Sequence, residues 1–111
     1  MNIKHITIHQ MRLFHSLATH LSFTAVANEL HLSQSGVSIQ IKRLAESVGT
    51  PLVEKIGKKI YLTDVGRELF AATDDVLNRL ELLNHNIQDM GETIKGPLKI
   101  SGITTSKYFM P

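Results

Sequence analysis

Ser22-Phe23-Thr24-Ala25-Val26-Ala27-Asn28-Glu29-Leu30-His31-Leu32-Ser33-Gln34-Ser35-Gly36-Val37-Ser38-Ile39-Gln40-Ile41 holds two helical periods with only about three residues between them. Ser22 can cap the first, which points Phe23, Val26, Ala27 and Leu30 inward. His31-Leu32 is a tight break, and Ser33 caps a second helix that runs to about Val48. So short a link forces the two helices to cross steeply and share one apolar corner. Val26, Leu30, Leu32, Val37 and Ile41 supply that corner, with Ala27 small enough for a close crossing. His31 falls where the turn needs a left-handed residue, and histidine is among the non-glycine types enriched there. The stretch reads as a helix-turn-helix.

Upstream, Thr7 and Gln10 form a capping-box pattern. Met11, Phe14, Leu17, Ala18 and Leu21 follow at helical spacing, leaving Arg12, His15 and Thr19 outward. Downstream, Gly49-Thr50-Pro51 ends the second helix of the pair, because a residue free to take positive φ precedes a ring that cannot continue. Leu52–Ile56 and Ile60–Thr63 alternate around Gly57-Lys58-Lys59, the pattern of a β-hairpin. Thr63 can cap a long helix reaching about Gly91, with Asp64 favourably placed in its first turn. Gly96-Pro97 breaks the chain, and Leu98-Lys99-Ile100 alternates like the first strand of something new. The expected fold is mainly α: a winged helix-turn-helix with a short β-hairpin wing, followed by a long dimerisation helix. Its expected divisions are 1–63 for the winged helix, 64–95 for the linker helix and 96–111 for the start of a further, truncated domain.

Composition limits the alternatives. The chain has 111 residues, 42% hydrophobic and 20% charged, so it should fold as one ordinary domain plus an appendage. Zero cysteines exclude a disulfide scaffold and any thiolate metal site. No apolar run is long enough to span a bilayer, and Met1-Asn2-Ile3-Lys4-His5 lacks the apolar core of a secretory signal. A cytoplasmic location without a membrane partner is therefore expected. The net charge of +2 is unevenly placed: residues 1–66 carry seven Lys/Arg against four Asp/Glu, and the excess lies largely between Lys42 and Lys59. A basic patch on one half suits nucleic acid.

The second helix of the pair carries a face suited to double-stranded DNA. Ser33, Gln34, Ser35 and Ser38 are short or amide-bearing, and Gly36 lets the backbone come close to a surface. Gln can hydrogen-bond the N6/N7 edge of adenine, and Ser can serve several bases or a phosphate. Ile39 is apolar where solvent would favour a polar residue, and contact with a thymine methyl would account for it. Lys42 and Arg43 follow one turn later, where a helix in the groove passes the backbone. Lys55, Lys58 and Lys59 gather at the hairpin end, where they would meet phosphate and add salt-dependent affinity rather than sequence choice. The bland readings are ordinary helix-start polarity for the Ser/Gln residues and edge-strand solubility for the lysines.

Along the long helix, Leu69, Thr73, Val76, Leu80, Leu83, Ile87, Met90 and Ile94 step by four and three, the 3.5-residue period of a coiled coil. A helix of this length, roughly 42 Å, has more apolar surface than the first helix alone can cover. A two-fold homodimer through Leu69, Val76, Leu80, Leu83, Ile87 and Met90 is expected, setting two recognition helices about one DNA turn apart.

Taken together, Met11-Arg12-Leu13-Phe14, Ser22-Phe23-Thr24-Ala25-Val26-Ala27, Leu32-Ser33-Gln34-Ser35-Gly36-Val37-Ser38, Leu44, Pro51-Leu52 and Leu62-Thr63-Asp64-Val65-Gly66 resemble the N-terminal part of a LysR-type transcriptional regulator. The resemblance covers the whole chain and implies a separate C-terminal domain that binds a small-molecule effector. It also implies no cofactor in this portion, and tetramers built as dimers of dimers. It matches Gln34, Ser35 and Ser38 to groove-reading residues and Thr24 to a phosphate contact. Departures are Gly36 where Ala is commoner, Ile39 where a long polar residue is frequent, and Val53 and Lys55 in place of Phe and Arg. Lys55 keeps the charge but loses a bidentate fork. The stretches 54–63 and 104–111 are similar to the subgroup controlling Calvin-cycle carbon-fixation genes. By the same resemblance, Thr104 and Thr105 fall where the first strand feeds the effector pocket.

Other classes fare worse. His5 and His9 lie four apart but lack a third ligand at metal spacing. No Gly-rich phosphate loop, nucleophile elbow or paired catalytic set occurs, so no enzyme is expected. The alternatives are a LysR-type regulator of another metabolic pathway and a winged-helix module that binds protein, since fold does not fix function. Such a module would show an apolar stripe or acids where this chain has Ser, Gln and Lys.

Overall fold

The computed structural model describes residues 1–94, with side chains to Gly91. A single 3-10 turn at Ile3–His5 leads into α1 (Ile8–His20), α2 (Phe23–Leu30), α3 (Gln34–Val48), β1 (Val53–Ile56), β2 (Lys59–Leu62) and α4 (Asp64–Ile94). The chain packs as two units, Met1–Leu77 and the segment from Asn78 on.

Local chemistry sets the helix starts. The Thr7 hydroxyl accepts from the Gln10 amide at 3.0 Å while Gln10 Oε1 accepts from the Thr7 amide at 3.1 Å, so two orphan donors are satisfied reciprocally. Ser22 accepts from the Ala25 amide, Ser33 from that of Gly36, and Thr63 from that of Gly66. Left-handed residues close the turns: Leu21 (φ 52°) after α1, His31 (φ 57°) after α2 and Gly49 (φ 99°) after α3.

Helices α1, α2 and α3 pack on one another around Leu13, Phe14, Leu17, Val26, Ala27, Val37, Ile41, Leu44 and Leu52. Complete burial of each large apolar side chain contributes about 1.5–3 kcal/mol before entropy is counted. Two residues expected inside lie out. Leu21 is exposed because its left-handed backbone must turn the chain from α1 toward α2. Leu32 is 37% exposed and is not part of the core cluster, although its amide closes the turn on the Ala27 carbonyl at 2.9 Å. Leu13, by contrast, is fully buried beside Phe14 and Leu17.

Strands β1 and β2 pair antiparallel, Val53 opposite Leu62 and Ile56 opposite Lys59. Lys59 therefore belongs to β2, and the turn is the two residues Gly57-Lys58, with Gly57 at φ 64°. Gly at the first central position with positive φ is the two-residue hairpin geometry that matches strand twist. Cross-strand partners share a face, so Val53, Lys55, Ile60 and Leu62 line one side and Glu54, Ile56, Lys59 and Tyr61 the other. Val53 and Leu62 rest against the core.

Helix α4 starts on the wing's exit. The Thr63 amide donates to the Leu52 carbonyl at 3.0 Å and the Thr63 hydroxyl donates to that of Pro51 at 2.8 Å. Gly66 is buried over this junction, where a Cβ would sit 2.1 Å from the Leu52 carbonyl oxygen. The helix runs through Gly91 to Ile94, since a helical glycine weakens a helix without ending it unless it turns left-handed.

His15, expected outward, is half-buried: its ring stacks on Phe70 with centroids 5.0 Å apart and its Nε2 lies 2.9 Å from Asp74 Oδ1. The start of α4 is thereby fastened to α1. Leu69 and Thr73, read above as seam positions, turn to the core of their own unit for the same reason. Leu69 packs against the core cluster and Thr73 is 1% exposed. Across α1 and α2, the Ser16 hydroxyl donates to Glu29, and His20 Nε2 lies 3.3 Å from the same carboxylate. The Ser16 hydrogen bond, only partly opposed by desolvation and assisted by His20, holds the Glu29 carboxyl below its ordinary value.

Candidate nucleic-acid interface

Helix α3 presents two opposite faces. Val37, Ile41 and Leu44 are buried, and the 3.6-residue period places Ser35, Ile39 and Lys42 directly across the helix from them. Ser35, Ser38, Ile39, Lys42 and Arg43 are all exposed, Ile39 by half of its surface. An isoleucine held in water by a helix whose core side is already full is available to an apolar contact from outside.

At the N-terminal end the side chains are already engaged with one another. Ser33 Oγ accepts from the Gly36 amide at 3.0 Å and lies 3.4 Å from Ser35 Oγ. Gln34, the first residue of α3, donates from Nε2 to the Thr24 hydroxyl at 2.5 Å, joining the start of α3 to the first turn of α2. Both residues remain exposed. Four amide groups at the start of α3 lack helical acceptors, and the helix dipole favours negative charge at that end. Gly36 fits beneath the cap, because a Cβ there would lie 2.9 Å from Ser33 Oγ.

The wing adds charge with a definite geometry. Lys55, Lys58 and Lys59 are all exposed at the hairpin tip, but they do not form one patch. Lys55 shares a face with Ile60, whereas Lys59 lies on the opposite face with Glu54 and Tyr61, and Lys58 sits in the turn between them. At the foot of the wing, Arg67 donates to the Leu62 carbonyl at 3.0 Å and pairs with Asp64.

On α4, Val76, Leu82, Leu83, Ile87 and Met90 are exposed, and Leu80 is half-buried. Their exposure contrasts with Leu69 and Thr73, so the open part of the repeat begins at Val76. Thr104 and Thr105, with the strand anticipated at 98–100, lie outside the described residues. Among the described residues no cluster of three His, Cys, Asp or Glu is placed to hold a metal ion, and no helix is long and apolar enough to cross a membrane.

Sequence reasoning missed the Gln34–Thr24 bond. The two residues are ten apart, and nothing in either helix period says that the first turn of α2 and the first residue of α3 meet. Only the turn geometry at His31 brings them together.

Comparison with known proteins extends the picture. Residues 8–67 match the model of the bacterial regulatory helix-turn-helix proteins of the lysR family. The chain is 47% identical over its whole length to a RuBisCO operon transcriptional regulator of Acidithiobacillus ferrooxidans, of which it spans 36%. It is 42% identical over 98% of its length to the HTH-type transcriptional activator CmpR of a Synechocystis strain, again spanning 36% of that protein. Among solved structures, full-length OxyR from Pseudomonas aeruginosa superposes with a TM-score of 0.71 at 27% identity, covering 77% of this chain and 29% of the other. The BenM DNA-binding domain in complex with catB site 1 DNA gives a TM-score of 0.74 at 22% identity, covering 78% of this chain and 97% of the other, a likeness of fold. With a winged helix-turn-helix seen in the fold and its family match running from α1 into α4, the chain belongs to the lysR family of bacterial regulatory helix-turn-helix proteins.

Proposed function

We propose that the chain is the sequence-specific, double-stranded-DNA-binding part of a cytoplasmic transcription regulator that controls carbon-fixation genes. The observation that carries the DNA reading is the exposed Ser35–Ser38–Ile39–Lys42 face of α3, standing opposite a completely filled core face. The carbon-fixation assignment rests on the likeness to the RuBisCO operon transcriptional regulator named above, 47% identical over the whole chain. In this reading α3 enters the major groove with Gln34, Ser35 and Ser38 at base edges and Ile39 against a thymine methyl. Ser33, Lys42, Arg43, Lys55, Lys58 and Lys59 hold phosphates.

A homodimer forms through the open part of α4, from Val76 through Leu80, Leu83 and Ile87 to Met90, and reads an interrupted palindrome; two dimers make a tetramer. The division is 1–63 for the winged helix, 64–95 for the linker helix and 96–111 for the opening of an effector domain, with Thr104 and Thr105 at its small-molecule pocket. The chain spans 36% of each of the two sequence relatives named above, which leaves room for such a domain. Catalysis has no place in this scheme.

The test is a binding titration of the chain at several salt concentrations on a palindromic probe selected from random DNA and on a scrambled one. The expected result is preference for the symmetric site. Gln34→Ala lowers that preference, while Lys58→Ala weakens both probes alike and reduces the salt slope by about one. A folded chain that binds neither probe would transfer the assignment to a protein-interaction module.

A further inference from the structure

The bond from Gln34 to Thr24 changes what the glutamine can offer a base. A free glutamine amide has two N–H donors and a carbonyl acceptor. With both donors available, Nε2 can bridge the two adjacent acceptors of guanine, O6 and N7. With carbonyl and one donor side by side, the amide instead complements adenine, whose edge pairs the N7 acceptor with the N6 donor. In this structure one Nε2 donor is already committed to the Thr24 hydroxyl at 2.5 Å. What remains uncommitted by that bond is one donor and one acceptor, the combination that complements adenine. Guanine would meet a carbonyl against its O6, two acceptors facing each other.

We infer that Thr24 is a positioning residue for specificity, its hydroxyl holding the Gln34 amide in the orientation that accepts adenine and refuses guanine. The inference rests on the proposal that α3 reads the major groove. It differs from the phosphate contact assigned to Thr24 by resemblance, because a phosphate contact strengthens binding to every sequence alike. Both side chains are exposed, so their bond adds little to the core and its value lies in orientation. Thr24 is also well supported. Ser22 caps α2 at Ala25, and Val26 and Ala27 anchor that helix in the core, so the hydroxyl sits on a fixed platform.

The experiment is a competition assay of the chain on its selected duplex, with each base pair of one half-site replaced in turn. Gln34→Ala first identifies the position at which the adenine-to-guanine affinity ratio depends on the glutamine. At that position Thr24→Val, which removes the hydroxyl and keeps the shape, is expected to lower the ratio roughly three- to ten-fold. Thr24→Ser, which keeps the hydroxyl, is expected to restore it. Ratios elsewhere in the half-site should not move. A uniform loss on all duplexes with the ratio intact would overturn the inference and leave Thr24 as a phosphate contact. If Thr24→Val fails to fold by circular dichroism, Thr24→Ala, which also lacks an acceptor, replaces it; the inference then requires Thr24→Ser to match the parent ratio and Thr24→Ala to lower it. An unmodified chain with no base preference at any position is a different result, and it removes the groove reading together with this inference.

Discussion

Replacing Gly66 by alanine should loosen the joint between the wing and α4. A Cβ at this position would lie 2.1 Å from the Leu52 carbonyl oxygen and 3.3 Å from Thr63 Oγ1. Relief requires the first turn of α4 and the Pro51-Leu52 backbone to part by about 1.4 Å, since carbon contacts are comfortable only near 3.5 Å. Overpacking of this kind costs about 1–3 kcal/mol. The same oxygen accepts the Thr63 amide at 3.0 Å, and loss of that bond adds about 0.5–1.5 kcal/mol. Alanine recovers at most about 1 kcal/mol through helix propensity, and less in a first turn. The net expectation is destabilisation by about 1–4 kcal/mol. At roughly 4–8 °C per kcal/mol for a domain of this size, the melting midpoint should fall by at least about 4 °C. Gly91→Ala is the matched control, because nothing lies within 4 Å of its added Cβ; its helicity should be kept or raised. Thermal melts followed at 222 nm test both. A Gly66→Ala midpoint equal to or above the parent's would refute the argument that backbone proximity, rather than propensity, selects glycine there.

Leu44 is fully buried in the core, so Leu44→Ala should cost about 2–5 kcal/mol in urea unfolding; a loss below about 1 kcal/mol would mean that the helices repack around the gap. Ser33→Ala removes the α3 cap and its bond to the Gly36 amide, an expected loss of about 0.5–2 kcal/mol, and an unchanged urea midpoint would contradict the cap's role. The folded state holds the Glu29 carboxyl below its ordinary value, through Ser16 first and His20 second. Its stabilisation is therefore present above the unfolded carboxylate range and lost as pH falls through the folded value. Glu29→Gln should melt below the parent at neutral pH, with the gap closing on acidification; a gap independent of pH would sink this account.

Features governed by neighbouring residues were legible in the sequence. The caps at Thr7, Ser22, Ser33 and Thr63 were each identified, because a cap is a contact between residues three apart and needs no knowledge of the rest of the fold. The left-handed residue at His31 followed from the length of the break. Features that depend on where α4 lies were hidden. His15 carries no mark of its stacking on Phe70, fifty-five residues later, and the 3.5-residue repeat cannot say that Leu69 and Thr73 serve their own core while Val76 onward stays open. Gly66 reads in one dimension as a poor helix former, and only the approach of the Leu52 carbonyl gives it a reason. In the candidate interface, residue types and the exposed face of α3 were readable from periodicity. The Gln34–Thr24 bond and the separation of Lys55 from Lys59 were not, since both require the register of one element against another.

That register also restricts how a wing of this kind can change length. Its two strands hold four residue pairs closed by a two-residue turn, and successive pairs face opposite ways. Adding one pair lengthens the reach by about 3.4 Å but turns the tip over, exchanging the positions of the lysine that faces with Ile60 and the lysine that faces with Tyr61. Adding two pairs restores the original presentation at a reach roughly 7 Å longer. A lineage that adjusts this wing to a differently placed phosphate must therefore insert residues in fours, or shift the charge along the strand at the same time. Single-residue insertions are barred more strongly, because they would carry Val53 or Leu62 from the core into water.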